Sequence, residues 1–324
     1  MLATAEGTAR FADRFPEFRT AAFYQTVRDL TVSSLGIGTY LGVSTDALLV
    51  AAEQGINFWD TAINYQQQRS EQSIGEALQQ LQRDEVVICT KAGFLTQGAV
   101  PAFLKNEDVV GGSHSMAPDF LEDQIERSRA NMGVDTIDVF YLHNPETQLG
   151  FLTREQFEDR IRRAFAKLES LAERFKIRWY GAATWNGFRQ KGALDLPRLA
   201  EIAREEGGPE HRFRFIQLPF NLGMVEAFVD RPENVLDSAA RLGISVIASA
   251  TLSQTQVIGN MPDAVPRILT GLRTNAQRAI QFTRSTPGIS VALVGMSRSE
   301  HVLENIGVAH VPPAPLEEYL RLYQ

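Results

Sequence analysis

The chain has 324 residues, of which 44% are apolar, and a formal net charge of -7, a balance that argues against nucleic acid or an anionic membrane as its main partner. Its single cysteine, Cys89, excludes an internal disulfide, and we expect neither a signal peptide nor a membrane helix, because no apolar run reaches roughly 20 residues. These features predict a cytoplasmic protein in a reducing compartment, either a monomer or a homo-oligomer.

From residue 31 onward, short apolar runs alternate with amphipathic helical patterns. The runs are rich in Val, Ile and Phe, as in strands that are buried on both faces. Strands are predicted over residues 32–39, 56–62, 85–92, 137–144, 178–184, 213–221, 245–251 and 291–297. Helices are predicted over residues 45–55, 70–81, 119–132, 153–175, 195–206, 232–242, 266–283 and 299–308. The second of these helices opens with Ser70 as its predicted cap.

Eight strand–helix units in succession predict an α/β fold, a (β/α)8 TIM barrel in a single domain. A doubly wound open sheet is the alternative, but it usually has fewer strands and often a second domain. We predict an N-terminal extension over residues 1–30, the barrel over 31–310 with its cofactor and active site at the C-terminal strand ends, and a tail over 311–324. The long loop after strand 3, residues 93–118, is typical of functional or mobile segments.

Polar side chains follow three neighbouring strands of this barrel. Asp60 ends the second strand and Tyr65 follows it by five residues, while Lys91 ends the third strand and His143 the fourth. Because chemistry in such barrels occurs at the carboxyl ends of the strands, we expect these four side chains to meet at one mouth.

The four residue types form a chemically sensible set. A tyrosine with its ordinary pKa near 10 is a poor proton donor at neutral pH, and a neighbouring lysine is expected to lower that pKa. An aspartate would keep the lysine charged, and a neutral histidine can hydrogen-bond a polarised carbonyl oxygen. Proton transfer to or from a carbonyl compound is the predicted chemistry.

Each residue also has a simpler interpretation on its own. Asp60 could be a cap, a salt-bridge partner or the ribose ligand of a Rossmann fold, with GIGTYLG (36–42) as its glycine loop. Lys91 could be solvated, Tyr65 a rim aromatic and His143 a satisfied buried histidine. The glycine spacing is one residue too long for the Rossmann fingerprint, and the next helix begins only near Thr45.

Four segments together carry a resemblance: GINFWDTAINY, RSEQSIGEAL, CTKAGF and DVFYLHNPE. Their pattern resembles the aldo-keto reductase superfamily, and the similarity runs from residue 35 to residue 306. The resemblance implies a TIM-barrel oxidoreductase without metal or flavin that uses NADPH or, less often, NADH. It also implies that Tyr65 donates the proton, that Lys91 and Asp60 tune Tyr65, and that His143 orients the carbonyl.

The resemblance also implies where the nicotinamide end of the cofactor binds. Residues expected to contact its ribose and carboxamide are Gly38, Thr39, Tyr40, Asp60, Thr184 and Gln217. Two departures from the family pattern occur here. Ala183-Thr184 replaces a Ser-Asn pair, and Ser249 stands where an aromatic residue often stacks on the nicotinamide, with Trp185 as a possible substitute.

The adenosine end is expected at the last strand and the helix that follows it. Residues expected to contact this half of the cofactor are Gly295, Ser297, Arg298, Glu304 and Asn305, and Leu252, after the seventh strand, is a further expected cofactor contact. Ser297 and Arg298 would hold a 2'-phosphate, while Gly295-Met296 replaces the lysine that many family members carry. The expected preference for NADPH therefore depends on Arg298.

Three functions remain open from the sequence. The first is an NADPH-preferring carbonyl reductase or alcohol dehydrogenase that acts on a small carbonyl or alcohol substrate. The second is a regulatory barrel that binds cofactor but catalyses weakly, which the changes at Ala183 and Ser249 keep open. The third is a lyase that forms a Schiff base on Lys91, which Asp60 disfavours by raising the lysine pKa.

Overall fold

Eight parallel strands form one closed barrel, and each overlaps one predicted apolar run, but Val32 and Ser33 at the start of the first run belong to an antiparallel hairpin instead. The computed structural model describes residues 1–230 and 232–324. The strands are β1 Tyr24–Val27, β2 Leu30–Ser33, β3 Leu35–Gly38, β4 Phe58–Asp60, β5 Val87–Ala92, β6 Ile137–His143, β7 Ile177–Ala183, β8 Phe213–Pro219, β9 Ser245–Ser249 and β10 Ile289–Gly295. Strands β3 to β10 pair in chain order and β10 closes on β3, which confirms the single-domain TIM barrel.

Helices follow the barrel strands along the chain, except for the first helix, which precedes all of the strands. They are α1 Ala5–Asp13, α2 Thr45–Glu53, α3 Arg69–Leu78, α4 Pro118–Met132, α5 Arg154–Glu173, α6 Leu196–Gly207, α7 Glu226–Val229, α8 Val235–Arg241, α9 Gln256–Gly259, α10 Ala264–Ile268, α11 Asn275–Arg284, α12 Ser299–Asn305 and α13 Leu316–Tyr319. Within the described residues, none of them combines the length and the apolar character that crossing a bilayer requires.

Two helix predictions were wrong in detail. Helix α3 begins at Arg69 after Gln68, and the Ser70 hydroxyl donates to the Thr39 carbonyl at 3.0 Å instead of capping the helix. The helix predicted over 266–283 is divided into α10 and α11, because Thr274 starts a new helix with a capping box to Gln277.

The N-terminal end of the barrel is closed by the antiparallel hairpin of β1 and β2. Its apolar side chains Val27, Leu30 and Val32 pack with residues that point into the barrel, among them Phe58 and Val139. The opposite, C-terminal end is therefore the end at which a small molecule can reach the interior. The division of the chain at residues 30 and 310 stays a prediction.

The single cysteine lies inside this barrel. Cys89 is fully buried in the same cluster as Tyr141, and it pairs with Asp60 across strands β5 and β4. Burial raises the pKa of the Cys89 thiol well above its ordinary value. The thiol therefore stays protonated and shielded in the folded chain.

The chain that follows Tyr65 is left-handed for three residues. Gln66, Gln67 and Gln68 have φ of 49°, 52° and 75°, although none of them is glycine. A left-handed conformation costs a residue that has a Cβ roughly 1–2 kcal/mol. This turn therefore holds strain directly beside a predicted site residue.

Glycine at the centre of that turn is expected to stabilise the protein. Gln67 is exposed, and its side-chain nitrogen lies 3.5 Å from Gln97 Oε1, the outer limit of a hydrogen bond. Gln67→Gly should raise the free energy of unfolding by about 0.5–1 kcal/mol, measured by urea denaturation. The matched control is Gln72→Gly on the exposed face of α3, which should lower it by about 1 kcal/mol. An equal loss of unfolding free energy in the two variants would show that the turn at Gln67 is not strained.

Candidate active site

Asp60 and Lys91 form a buried ion pair at the C-terminal ends of β4 and β5. Lys91 Nζ lies 2.6 Å from Asp60 Oδ1 and 2.7 Å from the Thr61 carbonyl. The other carboxylate oxygen of Asp60 accepts from Gln217 Nε2 at 2.8 Å. Burial opposes the charge of Lys91, but Asp60 and Tyr65 together outweigh this and hold the pKa of Lys91 above its ordinary value. Lys91 is therefore a fixed positive charge inside the mouth of the barrel.

Tyr65 lies directly against this charge. Its ring centroid is 4.9 Å from Lys91 Nζ, and its ring meets those of Tyr40 and His143 edge-on, at 5.3 and 5.7 Å. Burial raises the pKa of Tyr65 above its ordinary value, and the nearby Lys91 lowers it only in part. The predicted lowering of the Tyr65 pKa is therefore wrong in its net direction, because desolvation disfavours the phenolate more than one lysine favours it.

His143 completes the group at the end of β6. Burial, and then the charge of Lys91, lower the pKa of His143 well below its ordinary value, so the ring is neutral at neutral pH. Its Nδ1 is buried and has no hydrogen-bond partner within the described part of the chain. The structure thus brings together the four residues that the strand ends predicted, with a histidine in the form that can bond a carbonyl oxygen.

Two glycines leave the backbone uncovered by side chains beside these four residues. Gly38 pairs with Asp60 on one side and with Gly295 on the other. A Cβ at Gly38 would meet its first atom only at 3.8 Å, and one at Gly295 only at 4.0 Å. The buried Thr39 hydroxyl next to this pair has no partner among the residues that the structure describes. A flat group of an organic cofactor can approach the backbone here.

The other residues expected at the nicotinamide lie around the same mouth. Thr184 is buried at the end of β7, and its hydroxyl lies 3.5 Å from the Gln217 carbonyl, the outer limit of a hydrogen bond. The Gln217 amide nitrogen donates one hydrogen to Asp60, so its second hydrogen and its carbonyl oxygen are left for the bond expected to a carboxamide. Tyr40 is 57% exposed, at the rim.

The remaining residues expected to contact the cofactor lie near β9, β10 and α12. Ser249 and Leu252 are half-buried, the first at the end of β9 and the second in the loop that follows. Gly295 is exposed at the end of β10, and Ser297 accepts from the Ser44 backbone at 3.3 Å through its own carbonyl.

The charged and amide side chains expected at the adenosine half of the cofactor differ in their exposure to solvent. Arg298 is exposed and lies 3.4 Å from His301 Nε2, and no side chain among the described residues caps the start of α12. Glu304 is exposed, whereas Asn305 is buried with an Oδ1 that has no partner within residues 1–230 and 232–324. An exposed guanidinium beside an uncapped helix start suits an anionic group.

A glutamate that the sequence did not single out fixes the loop after β7. Glu146 Oε1 accepts from the backbone nitrogens of Trp185, Asn186 and Gly187 at 2.8, 2.9 and 3.1 Å. A cavity of about 820 Å³ adjoins this loop and is lined in part by Asn144 and Glu146. The carboxylate therefore sets the course of the chain at Trp185, which is 46% exposed.

Two further residues near the mouth were missed. Glu71 is fully buried between α3 and β5, where it accepts from Thr90 Oγ1 at 2.6 Å and from Asn131 Nδ2 at 2.8 Å. His114, in the long loop after β5, contacts the backbone of His143. Glu71 and Glu146 fall within the segments that carried the family resemblance, which is the signal that could have found them, whereas His114 follows from no periodicity.

The fold and the site define a class: a (β/α)8 barrel with a buried Lys–Asp pair, a tyrosine and a neutral histidine at its open end. No group of three or more His, Cys, Asp or Glu among the described residues is arranged to hold a metal ion. The sequence pattern of the Aldo/keto reductase family matches residues 43–261, and the chain belongs to that family.

Individual relatives agree with this assignment. The D-threo-aldose 1-dehydrogenase of a Pseudomonas species is 31% identical over 316 residues, which cover 85% of this chain and 89% of the relative. The NADH-specific methylglyoxal reductase of Escherichia coli (strain K12) is 29% identical over 189 residues, which cover 52% of this chain and only 55% of that protein.

A solved structure shows the same fold at lower identity. The aldo/keto reductase from Klebsiella pneumoniae in complex with NADP and acetate is 19% identical, and the match covers 91% of this chain and 92% of that one with a TM-score of 0.67.

Proposed function

We propose that the protein is an NAD(P)H-dependent oxidoreductase that interconverts a small aldehyde or ketone and its alcohol. The observation that carries this proposal is the Lys91–Asp60 pair at 2.6 Å, with Lys91 Nζ 4.9 Å from the Tyr65 ring centroid, at the open end of the barrel. A tyrosine placed against a permanent charge is arranged to exchange a proton with bound substrate.

Each member of the site has a separate task in this proposal. Tyr65, kept protonated by burial, gives its hydroxyl proton to the substrate oxygen, and Lys91 stabilises the phenolate that remains. Asp60 keeps Lys91 charged and in place. The neutral His143 donates a hydrogen bond to the same oxygen and orients the carbonyl. A bound reduced nicotinamide would supply the hydride that the carbonyl carbon receives.

The residues present fit such a cofactor. The glycine pair Gly38 and Gly295 lets a flat ring approach the backbone beside Asp60, and the buried Thr39 hydroxyl offers an unused hydrogen bond. At the far end, the Asn305 amide offers another. The Klebsiella pneumoniae protein was solved in complex with NADP, whereas the Escherichia coli relative is NADH-specific. The relatives therefore do not decide between NADPH and NADH, and the preference has to be inferred from the residues of this chain.

The first test measures binding before turnover. NADPH and NADH are titrated separately by fluorescence, and the preferred cofactor is then offered with a panel of aldehydes, ketones and alcohols. Methylglyoxal and aldoses belong in the panel because two relatives act on such compounds by name. Oxidation of the cofactor with any carbonyl supports the proposal. Tight binding without any turnover would support a regulatory barrel instead.

Arg298 is expected to provide the preference for NADPH. Arg298→Ala should weaken NADPH binding about tenfold and leave NADH binding within about twofold, because only NADPH carries the 2'-phosphate that a guanidinium can bond. The measurement is the same fluorescence titration. Arg19→Ala, which removes another exposed arginine near the hairpin end, is the matched control and should change neither constant. Equal weakening of both cofactors by Arg298→Ala would show that Arg298 does not read the phosphate.

A Schiff-base lyase is the weaker alternative. A nucleophilic lysine must lose its proton, and the Asp60 carboxylate at 2.6 Å raises the pKa of Lys91 above its ordinary value. Borohydride would trap a substrate adduct on Lys91 only under this alternative.

A further inference from the structure

The long loop after β5, residues 93–117, is anchored at both ends by backbone pairing. Leu95 N donates to the Ser113 carbonyl and Ser115 N donates to the Gly93 carbonyl, both at 2.8 Å. This short ladder places His114 opposite Phe94, and the His114 side chain is fully buried. The loop therefore delivers one imidazole ring to a defined place beside the active site.

A chain of hydrogen bonds runs through that ring to the catalytic strand. His114 Nε2 lies 2.8 Å from the carbonyl oxygen of His143, and His114 Nδ1 lies 3.0 Å from Gln148 Nε2. A carbonyl can only accept and an amide NH2 can only donate, so the two partners together assign the neutral tautomer with its proton on Nε2. Burial lowers the pKa of His114 to about 4, which keeps the ring neutral at neutral pH.

The last carbonyl of β6 needs this donor. After His143 the chain turns left-handed at Asn144, whose nitrogen donates to the Ala183 carbonyl of β7. The chain leaves the strand at that point, and the His143 carbonyl turns to the loop histidine. An unpaired buried carbonyl would be costly, so this bond favours one conformation of the residue that carries the catalytic ring.

Close packing supports the same arrangement from two sides. A Cβ on Gly93 would lie 2.6 Å from His114 Nε2 and 2.7 Å from the His143 carbonyl, so only glycine leaves this hydrogen bond undisturbed. The Phe94 ring stands edge-on to both imidazoles, with centroid distances of 5.1 Å to His114 and 5.2 Å to His143. The hydrogen bond to the His143 backbone and the ring contact from Phe94 therefore both restrict the orientation of His143.

We propose that His114 is a positioning residue, which fixes the backbone and ring of His143 so that its imidazole meets the substrate carbonyl. This inference rests on the proposed function for its catalytic consequence, but the positioning itself exists without substrate. His114 and Gln148 would act through His143 and not touch the reacting atoms.

The first measurement follows the position of the His143 ring and does not depend on enzymatic activity. The Cε1–Hε1 NMR signals of the five histidines are recorded for the folded chain, with single-histidine variants for assignment. His114→Leu should move the His143 signal, whereas His211→Leu, the same change at a buried histidine near the other end of the barrel, should not. His114→Gln keeps a donor nitrogen at similar reach and should leave the His143 signal close to its original place. An unmoved His143 signal in His114→Leu would overturn the proposal.

The second measurement is a double-mutant cycle on carbonyl reduction. His114→Leu should lower kcat/KM about 10- to 100-fold in the original chain, a loss typical of a misplaced catalytic group. In a His143→Ala background it should change kcat/KM by less than about twofold, because the residue that it positions is gone. The same fold loss in both backgrounds would mean a merely structural role and would overturn the proposal.

Two provisions keep the outcomes separate. Should His114→Leu fail to fold, Gly93→Ala takes its place, since the added methyl separates His114 from the His143 carbonyl. Should the unmodified protein reduce no carbonyl, the proposed function fails, and the NMR comparison alone decides whether His114 positions His143.

Discussion

Replacing Tyr65 with phenylalanine is expected to lower kcat for carbonyl reduction by about 10²- to 10⁴-fold, the range that a general acid contributes. The ring keeps its contacts with Tyr40 and His143, and only the proton donor is lost. Cofactor binding, followed by fluorescence, should change little. The decisive comparison is the rate of NADPH oxidation at saturating substrate.

The pKa of Tyr65 gives this variant a companion measurement. Because burial raises that pKa above its ordinary value near 10, the proton is present throughout the neutral range and is lost only at alkaline pH. Reduction by the unmodified protein should therefore be independent of Tyr65 ionisation from weakly acidic to weakly alkaline pH. Tyr24→Phe, which loses one hydrogen bond to Gly55 near the hairpin end, is the control and should keep full activity. Retained turnover in Tyr65→Phe would assign the proton to another group.

Replacing Lys91 with methionine is expected to destabilise the fold by about 3–5 kcal/mol, because it leaves the buried Asp60 carboxylate without its counter-charge. The two side chains are only 1% and 5% exposed, so water cannot compensate. Urea denaturation measures the free energy of unfolding. The double variant Asp60→Asn with Lys91→Met removes the stranded charge and should be more stable than Lys91→Met alone.

A surface lysine provides the matched control for that experiment. Lys176 lies 3.0 Å from Glu126, but the two side chains are 31% and 43% exposed. Lys176→Met should cost less than about 1 kcal/mol, as is usual for solvent-exposed pairs. Similar losses at Lys91 and Lys176 would show that burial does not determine the strength of the active-site pair.

The fold and the central site were predictable for the same reason. A strand buried on both faces reads as a continuous apolar run, and the residue at its carboxyl end points to the mouth of a barrel whatever the loops do. Asp60, Lys91 and His143 could therefore be placed from strand ends alone, and Tyr65 lies close enough to β4 to follow them.

Loop residues were not predictable in this way. His114 reaches His143 only because the ends of its loop pair through Gly93 and Ser115, a contact that no local periodicity encodes. The left-handed turn that begins at Gln66 could not be predicted from the sequence either, because it contains no glycine, the residue that usually marks such a turn. The direction in which the pKa of Tyr65 shifts could not be predicted either, because it depends on how deeply the folded chain buries the side chain.

The buried thiol beside Asp60 gives the molecule a built-in reporter of its own opening. Cys89 is the only cysteine and lies inside the barrel, so a thiol-specific reagent can reach it only when the strands separate. The rate of modification then measures how often the barrel opens, with a single covalent event per chain. A ligand that binds only the closed barrel, at its mouth, would slow that rate by a factor of 1 + [L]/Kd, so the affinity of a cofactor or substrate can be measured even where no turnover occurs.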